Sequence, residues 1–185
     1  MTFVRLAGCN APVLGLGCAQ WCDTRGSWDA DGGEPMEIAD IAARVRLPRV
    51  CLTGGEPLLQ LEGVQELVAE LHSREVRVHV ETNGTVDPPS NDLLRFDWAV
   101  VGPKPSSYNI APGWDGLVDE LKLVMDDCLD EATAVRLAEA HPEAFVSIQP
   151  VWEGERSAVE RAVTLVMGHP DWRLSLQTHK LLGIP

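Results

Sequence analysis

An α/β fold with a parallel sheet is predicted by two features of the sequence. Short β-branched runs alternate with longer stretches in which apolar residues recur at helical spacing. Regular alternation of this kind requires right-handed crossovers between parallel strands. Polar or glycine-rich motifs follow the short runs, and ligand sites of parallel sheets lie at the carboxyl ends of the strands. The sequence therefore predicts one sheet with its functional residues gathered at one edge.

Seven runs of the sequence are predicted to be strands. The first leads into a segment that holds three cysteines, and the second ends at the glycine pair Gly54–Gly55. The third ends in the turn sequence of residues 81–84, the fourth in that of residues 102–104, and the sixth at Gln149. The predicted strands are residues 3–7, 49–53, 76–80, 98–101, 120–124, 144–148 and 172–176.

Four stretches between these strands are predicted to be helices. Their apolar residues recur at i, i+3 and i+4, which is the spacing of one helix face. The sequence shows no repeat, linker or low-complexity tract, and a chain of this length can bury a sizeable core. We therefore expect a single domain, residues 1–185. The predicted helices are residues 35–45, 61–72, 129–140 and 157–167.

The chain is acidic, with 15 Lys and Arg against 28 Asp and Glu and a formal net charge of −13. This charge repels phosphate backbones and anionic lipid head groups, so we expect a small-molecule partner and neither nucleic acid nor a membrane. No apolar run approaches the roughly 18 residues of a membrane span, and the first residues do not resemble a secretory signal. A cytoplasmic, reducing compartment is therefore expected.

Three of the five cysteines lie close together in the sequence. Cys9, Cys18 and Cys22 are spaced C-x8-C-x3-C. Three thiolates on one loop form a soft ligand set suited to zinc or to an iron–sulfur cluster, and three ligands leave one metal position open for water or substrate. The alternative is three small hydrophobic residues in a loop. Cys51 and Cys128 are expected to be buried and to bind no metal.

Residues 53–57, with the sequence TGGEP, follow the second predicted strand. Two glycines allow a backbone to come close to a ligand, and Glu56 supplies a carboxylate. The alternative is a tight strand-to-helix turn with Pro57 at the first helical position. Lys104 and Lys122 follow two other strands, where the pattern favours solvated charges.

Five segments together carry a resemblance to a known family. They are FVRLAGCN at 3–10, WCDT at 21–24, TGGEP at 53–57, ETNGT at 81–85 and HPDWRLSLQTHKLLGIP at 169–185. The cysteines and GGE alone indicate the radical S-adenosylmethionine superfamily, whereas ETNGT and QTHK narrow the match to one family within it. The chain resembles the 7-carboxy-7-deazaguanine synthase family over almost its whole length.

The resemblance implies a lyase of queuosine-type 7-deazapurine biosynthesis. In the family, a 5′-deoxyadenosyl radical abstracts hydrogen from 6-carboxy-5,6,7,8-tetrahydropterin, which then rearranges to 7-carboxy-7-deazaguanine with loss of ammonia. The implied cofactors are a [4Fe–4S] cluster, S-adenosylmethionine and Mg2+. Cys9, Cys18 and Cys22 would hold the cluster. The oxygen of Thr24 would bind Mg2+, a cation that prefers oxygen ligands.

Contacts with S-adenosylmethionine are implied for five residues, none of them an acid or base catalyst. Gly54, Gly55 and Glu56 would bind its methionyl end, with the glycines permitting a close approach of the backbone. Glu81 would hydrogen-bond the ribose or the neighbouring substrate. Gln149 would lie on the adenine side.

Contacts with the substrate are implied for three more residues. Arg5 would pair with the substrate carboxylate, His179 would bind the pterin, and the terminal carboxylate of Pro185 would accept a hydrogen bond from it. The implied fold is a partial, open (β/α)6-type barrel with about six parallel strands and a reduced set of helices. The implied partners are an electron donor such as a flavodoxin and, in a homodimer, a second copy of the chain.

The sequence departs from the family pattern at three places. The second cysteine gap holds three residues where the superfamily has two, and we expect the extra residue to bulge out of the loop. Gly102 stands where the family has Ser, which removes a hydroxyl that would hydrogen-bond S-adenosylmethionine. A Q-G-E-G segment that precedes Phe3 in the family has no counterpart in the sequence. Either the start lies upstream of residue 1, or fewer residues make the substrate pocket and the affinity is lower. Two alternatives are an activating enzyme that makes a glycyl radical on a protein partner, and a non-catalytic module whose thiolates hold structural zinc.

Overall fold

The described part of the chain folds around one parallel sheet of seven strands. The structure is a computed structural model that describes residues 1–89, 95–105, 107–152 and 156–183. Each strand pairs with the next one along the chain, so the spatial order is the sequence order. The strands are β1 (Thr2–Leu6), β2 (Arg49–Gly54), β3 (Arg77–Thr82), β4 (Trp98–Val101), β5 (Glu120–Met125), β6 (Phe145–Pro150) and β7 (Arg173–Leu174).

Among the described residues, five helices connect or follow these strands. Four of them lie where the apolar periodicity predicts a helix, and the fifth, near the end of the chain, is not predicted. Helix α3 begins after Asp130, whose carboxylate accepts the backbone N–H of Thr133 at 2.8 Å. The helices are α1 (Ile38–Arg44), α2 (Leu61–Ser73), α3 (Glu131–Ala140), α4 (Arg156–Gly168) and α5 (Thr178–Leu182).

One face of the sheet is covered by helices. Strand residues at alternate positions, such as Leu52, Val80 and Ile148, are fully buried on this face. They form one apolar core with buried side chains of α1 to α4, among them Leu67 and Leu71 of α2. The helix-covered face therefore contains the main hydrophobic core.

The opposite face carries polar and aromatic side chains. Since side chains alternate along a strand, the register places Arg5 beside Thr53, and Glu81 beside Val100, on this face. Lys122 of β5 also projects from it, because its Nζ lies 2.7 Å from Glu81 Oε2. This face and the carboxyl ends of its strands border the segment that follows β1.

The predicted α/β fold is confirmed, with seven parallel strands in place of about six. β1 and β7 are the two edges of the sheet, so among the described strands it is open and not a closed barrel. β7 is only two residues long, shorter than the predicted strand 172–176. Within the described residues, every helix is too short or too polar to cross a bilayer.

Candidate active site

The three clustered cysteines lie in the segment between β1 and α1, residues 7–37, which we call the cysteine loop. In place of regular helix or strand, this loop has three short 3-10 turns, at Gly17–Gln20, Arg25–Ser27 and Ala30–Gly32. It starts at the carboxyl end of β1, at the edge of the sheet where ligands of parallel sheets bind. The predicted position of the cysteines at this edge is therefore correct.

The thiols of Cys9, Cys18 and Cys22 are near enough to influence one another. Burial, with a smaller contribution from the Cys22 thiol, raises the pKa of Cys9. Burial, with smaller contributions from Cys22 and Cys9, raises the pKa of Cys18 to about 11. In the described part of the chain, no group of three or more His, Cys, Asp or Glu side chains is arranged to hold one metal ion. A [4Fe–4S] cluster takes its thiolates at separate irons, so three soft donors spread over one loop fit it.

The extra residue between Cys18 and Cys22 does not bulge out of the loop. The backbone N–H groups of Trp21 and Cys22 both donate to the carbonyl of Cys18, at 3.1 and 2.8 Å. The second of these is an i to i+4 bond, so the five residues close one helical turn. A turn of this length takes up the added residue, which is the physical reason that the expected bulge is absent from this described segment.

Side-chain hydrogen bonds attach the cysteine loop to the ends of two other strands. Trp21 Nε1 donates to Asp126 Oδ2 at 2.8 Å, directly after β5. Asn83 Nδ2, directly after β3, donates to Asn10 Oδ1 at 2.8 Å. Asn10 in turn donates through Nδ2 to Thr85 Oγ1 at 2.8 Å. Asn10 and Trp21, the neighbours of Cys9 and Cys22, are therefore fixed by hydrogen bonds to residues that directly follow strands of the sheet.

The glycine pair after β2 lets two backbone segments meet. A Cβ on Gly54 would lie 2.0 Å from the carbonyl oxygen of Leu6, and a Cβ on Gly55 would lie 2.1 Å from that of Gly8. Gly55 N–H donates to the Leu6 carbonyl at 3.0 Å, and Glu56 N–H donates to the Gly8 carbonyl at 2.8 Å. The sequence predicts that this glycine pair lets a ligand come close to its backbone. In the structure, the backbone of Leu6 and Gly8 is the group that comes close.

Glu56 is fully buried, and its carboxylate is already hydrogen-bonded three times. Oε1 accepts the N–H of Leu58 at 3.1 Å and the hydroxyl of Thr82 at 2.8 Å, while Oε2 accepts the N–H of Asn83 at 2.7 Å. Burial raises the pKa of Glu56 although these bonds oppose the shift. The carboxylate therefore holds the ends of β2 and β3 together, and it also caps the turn that begins at Pro57.

Two lysines take positions that the sequence does not predict. Lys122 pairs with Glu81 on the open face instead of being solvated. Burial lowers the pKa of Lys104, and the nearby Cys18 thiol acts in the opposite direction. Lys104 Nζ also lies 5.7 Å from the centre of the Trp21 ring. Lys104 follows β4 as expected, whereas Lys122 lies within β5 and not after a strand. The sequence holds no signal for the contacts that either lysine makes.

The other predicted site residues are spread around this edge of the sheet. Arg5 is exposed and lines a groove of about 720 Å3 along β1. Gln149 is half-buried near the end of β6, and Thr24 Oγ1 lies 3.4 Å from Cys22 Sγ. His179 is exposed on α5. Pro185 lies outside the described residues.

One expectation about the remaining cysteines is wrong. Cys51 is buried in β2 as predicted, whereas Cys128 is exposed. Cys128 follows Asp126, whose Oδ1 accepts the backbone N–H groups of Cys128 and Leu129 at 2.9 and 3.0 Å. This turn fixes the backbone and leaves the Cys128 side chain at the surface.

Comparison with known proteins decides the family. No model of a known protein family matches the chain. The chain is 37% identical over 202 residues to a 7-carboxy-7-deazaguanine synthase from Caulobacter vibrioides, a match that covers 99% of this chain and 89% of that relative. The chain belongs to the 7-carboxy-7-deazaguanine synthase family. A family member from Bordetella pertussis is 36% identical over 207 residues, with the same two coverages, 99% and 89%.

A solved structure has a fold similar to that of this chain. The crystal structure of QueE from Escherichia coli matches with a TM-score of 0.68 at 22% identity, over 95% of this chain and 84% of that one. Family membership confirms the resemblance drawn from the motifs, and with it the class of radical S-adenosylmethionine lyase, whose cofactors are a [4Fe–4S] cluster and S-adenosylmethionine. It also sets aside the glycyl-radical activating enzyme and the zinc module.

Proposed function

We propose that this chain converts 6-carboxy-5,6,7,8-tetrahydropterin to 7-carboxy-7-deazaguanine and ammonia, in queuosine-type 7-deazapurine biosynthesis. The observation that carries the proposal is the match of 99% of the chain to 7-carboxy-7-deazaguanine synthases. The three thiols at the carboxyl edge of the sheet support it, because radical chemistry of this class needs a cluster with one open iron.

Cys9, Cys18 and Cys22 would hold the [4Fe–4S] cluster. When bound, the cluster supplies the electron that cleaves S-adenosylmethionine and so provides the radical that starts the reaction. The protein must present its cysteines as thiolates, and Lys104 assists because its charge lowers the pKa of Cys9 and Cys18 against the effect of burial. Trp28 Nε1 donates a hydrogen bond to Cys22 Sγ at 3.4 Å, which orients the third cysteine of the set.

Five residues would contact S-adenosylmethionine. We propose contacts through main-chain carbonyl oxygens for Gly54, Gly55 and Glu56, since the Glu56 carboxylate is occupied by three donors. The N–H groups of Gly55 and Glu56 already donate to the carbonyls of Leu6 and Gly8. Glu81 would bond the ribose or the substrate, and its ion pair with Lys122 fixes one of its oxygens in advance. Gln149, near the end of β6, would lie on the adenine side.

The substrate would bind between the open face and the end of the chain. Arg5 would pair with the substrate carboxylate from β1, and its exposure leaves the guanidinium accessible. His179 and Pro185 would contact the pterin. Thr24, next to the cysteine loop's third thiol, would place a Mg2+ against the same substrate.

The proposal extends to the organisation of the enzyme. It includes a single domain over residues 1–185, a homodimer, a flavodoxin-type electron donor and a cytoplasmic location. The net charge of −13 supports a small-molecule substrate over an anionic polymer or lipid.

The test is product formation by anaerobically reconstituted protein. The protein is incubated with the tetrahydropterin, S-adenosylmethionine, Mg2+ and dithionite, and 7-carboxy-7-deazaguanine is measured by mass spectrometry. We expect product from the unmodified chain and from Cys128→Ala, which removes an exposed thiol, and none from Cys22→Ala. Absence of product from an unmodified chain that carries a full cluster would contradict the proposal.

A further inference from the structure

The C-terminal helix α5 is tied to the cysteine loop by one group of polar contacts. Lys180 Nζ and Gln177 Nε2 both donate to Asp23 Oδ2, the latter at 2.8 Å. Lys180 Nζ also donates to Gln177 Oε1 at 3.1 Å and lies 5.4 Å from the centre of the Trp152 ring. We call Asp23, Gln177 and Lys180 the Asp23 clamp. It joins residues 154 and 157 positions apart in the sequence.

Hydrophobic packing does little to fix α5. The helix has five residues and buries none of them, and an isolated helix of that length is unstable in water. The preceding strand β7 is two residues long. A last backbone bond, from Ser175 N–H to the Ile148 carbonyl at 2.8 Å, precedes the helix. Among the described contacts, the Asp23 clamp is therefore what sets the position of α5 relative to the cysteine loop.

The clamp residues are neighbours of three predicted site residues. Asp23 lies between Cys22 and Thr24, and Lys180 follows His179 directly. We propose that Asp23 and Lys180 are positioning residues that hold the substrate-binding end of the chain against the cysteine loop, so that the pterin meets His179 and the cofactors in one arrangement. This inference rests on the proposed function of the site.

The strength of the clamp follows from its surroundings. The Lys180 side chain is 20% exposed and that of Asp23 37% exposed, so the ion pair is partly shielded from water. Charge-assisted hydrogen bonds in such a setting contribute more than a fully solvated pair. Because α5 has no buried face to replace it, loss of the clamp changes the position of His179 and leaves the core of the sheet unchanged.

The test uses cluster-loaded protein and the variant Lys180→Met, which keeps an unbranched side chain beside Trp152 and removes the charge. Lys180→Arg is the conservative variant, since it restores a cation that can reach Asp23. Arg156→Met is the matched control, because Arg156 pairs with Glu160 on the exposed surface of α4. Hydrogen exchange of the backbone amides of residues 176–183 is measured without substrate, and kcat and KM for the pterin are measured separately.

We expect Lys180→Met to raise both amide exchange in α5 and KM by about tenfold, the effect of losing one charge-assisted hydrogen bond, with kcat within about twofold. Lys180→Arg is expected to return both amide exchange and KM most of the way to the values of the unmodified chain. Arg156→Met is expected to change neither quantity. Unchanged exchange in Lys180→Met would overturn the clamp. Raised exchange with unchanged KM would overturn its role in substrate binding.

The inference and the proposed function fail differently. If the unmodified, cluster-loaded chain forms no product, the proposed function is contradicted, whereas the exchange data still decide whether Lys180 holds α5. If product forms and Lys180→Met exchanges like the unmodified chain, only the clamp is overturned.

Discussion

The helix-covered face of the sheet and the cysteine loop are stabilised by different interactions. The face is held by fully buried apolar side chains such as Leu52, Leu67 and Ile148, which share one core. The loop is held by separate polar contacts, including the bond from Trp21 to Asp126. Burial is shared among many side chains and determines stability, whereas each polar contact positions one part of the site. Substitutions in the core should therefore mainly change the free energy of unfolding. Substitutions in the cysteine loop should mainly change the properties of the site.

The largest effect is expected where the two regions join. Gly55→Ala places a Cβ 2.1 Å from the Gly8 carbonyl oxygen, so the backbone must move, and we expect a loss of about 4 kcal/mol or more in the free energy of unfolding. Gly63→Ala is the matched control within α2, where a Cβ meets no atom within 4 Å, and it should stabilise by up to about 1 kcal/mol. Urea unfolding measures the free energy of unfolding of both variants. Equal effects would contradict the claim that Gly55 is needed for the close approach to Gly8.

A substitution in the core should lower stability and leave the site intact. Leu52→Ala empties a fully buried position in the apolar core and should cost about 3 kcal/mol. Activity per folded molecule is expected to stay within about twofold at a temperature where the variant is folded. Urea unfolding and activity at equal folded fraction are the measurements. A loss of activity without a loss of stability would contradict the assignment of Leu52 to the part of the molecule that determines stability.

Glu56 belongs to both regions, because it is buried and yet bonds only polar groups. Glu56→Ala leaves the donors of Leu58, Thr82 and Asn83 without their acceptor and should cost about 2–3 kcal/mol, measured by urea unfolding. A cost below about 0.5 kcal/mol would show that these three groups find other partners.

The pH dependence of stability gives a second test of Glu56. Its pKa is raised in the folded state above 4.5, so the folded chain keeps this proton where the unfolded chain has lost it. Its contribution to stability is therefore most favourable below pH 4.5 and declines as the pH rises through that value towards the folded pKa. In Glu56→Gln this decline should be absent, as shown by unfolding free energies at several pH values. A parallel decline in both proteins would place its cause elsewhere.

The smallest effect on stability is expected in the cysteine loop. Trp21→Phe removes the indole N–H that donates to Asp126 and should change the free energy of unfolding by at most about 1 kcal/mol. Because this bond positions the turn between Cys18 and Cys22, we expect the variant to lose iron to a chelator several times faster than the unmodified chain. Equal rates of iron loss would show that the bond does not position the turn.

The difference between the regions also explains what the sequence could predict. All seven strands and four of the helices follow from apolar periodicity, and α2 is predicted to within one residue. Helix α5 leaves no such pattern, because it buries no residue. The carboxyl-edge location of the cysteines follows from the topology of parallel strands.

The contacts within the site could not be predicted in the same way. The bond from Trp21 to Asp126 joins residues 105 positions apart, and no local pattern marks such a pair. The sequence indicates that Gly54 and Gly55 permit a close approach, but it does not show that the backbone of Leu6 and Gly8 makes it. Burial of the Glu56 carboxylate likewise depends on the position of β3, which is a tertiary property.

The EPR spectrum of the reconstituted, dithionite-reduced protein, recorded with and without S-adenosylmethionine, tests the central claim most directly. If Cys9, Cys18 and Cys22 hold a cluster with one open iron, the protein contains about four irons per chain and its spectrum changes when S-adenosylmethionine is added. Bound zinc in place of iron, or a cluster signal that S-adenosylmethionine leaves unchanged, would contradict the account.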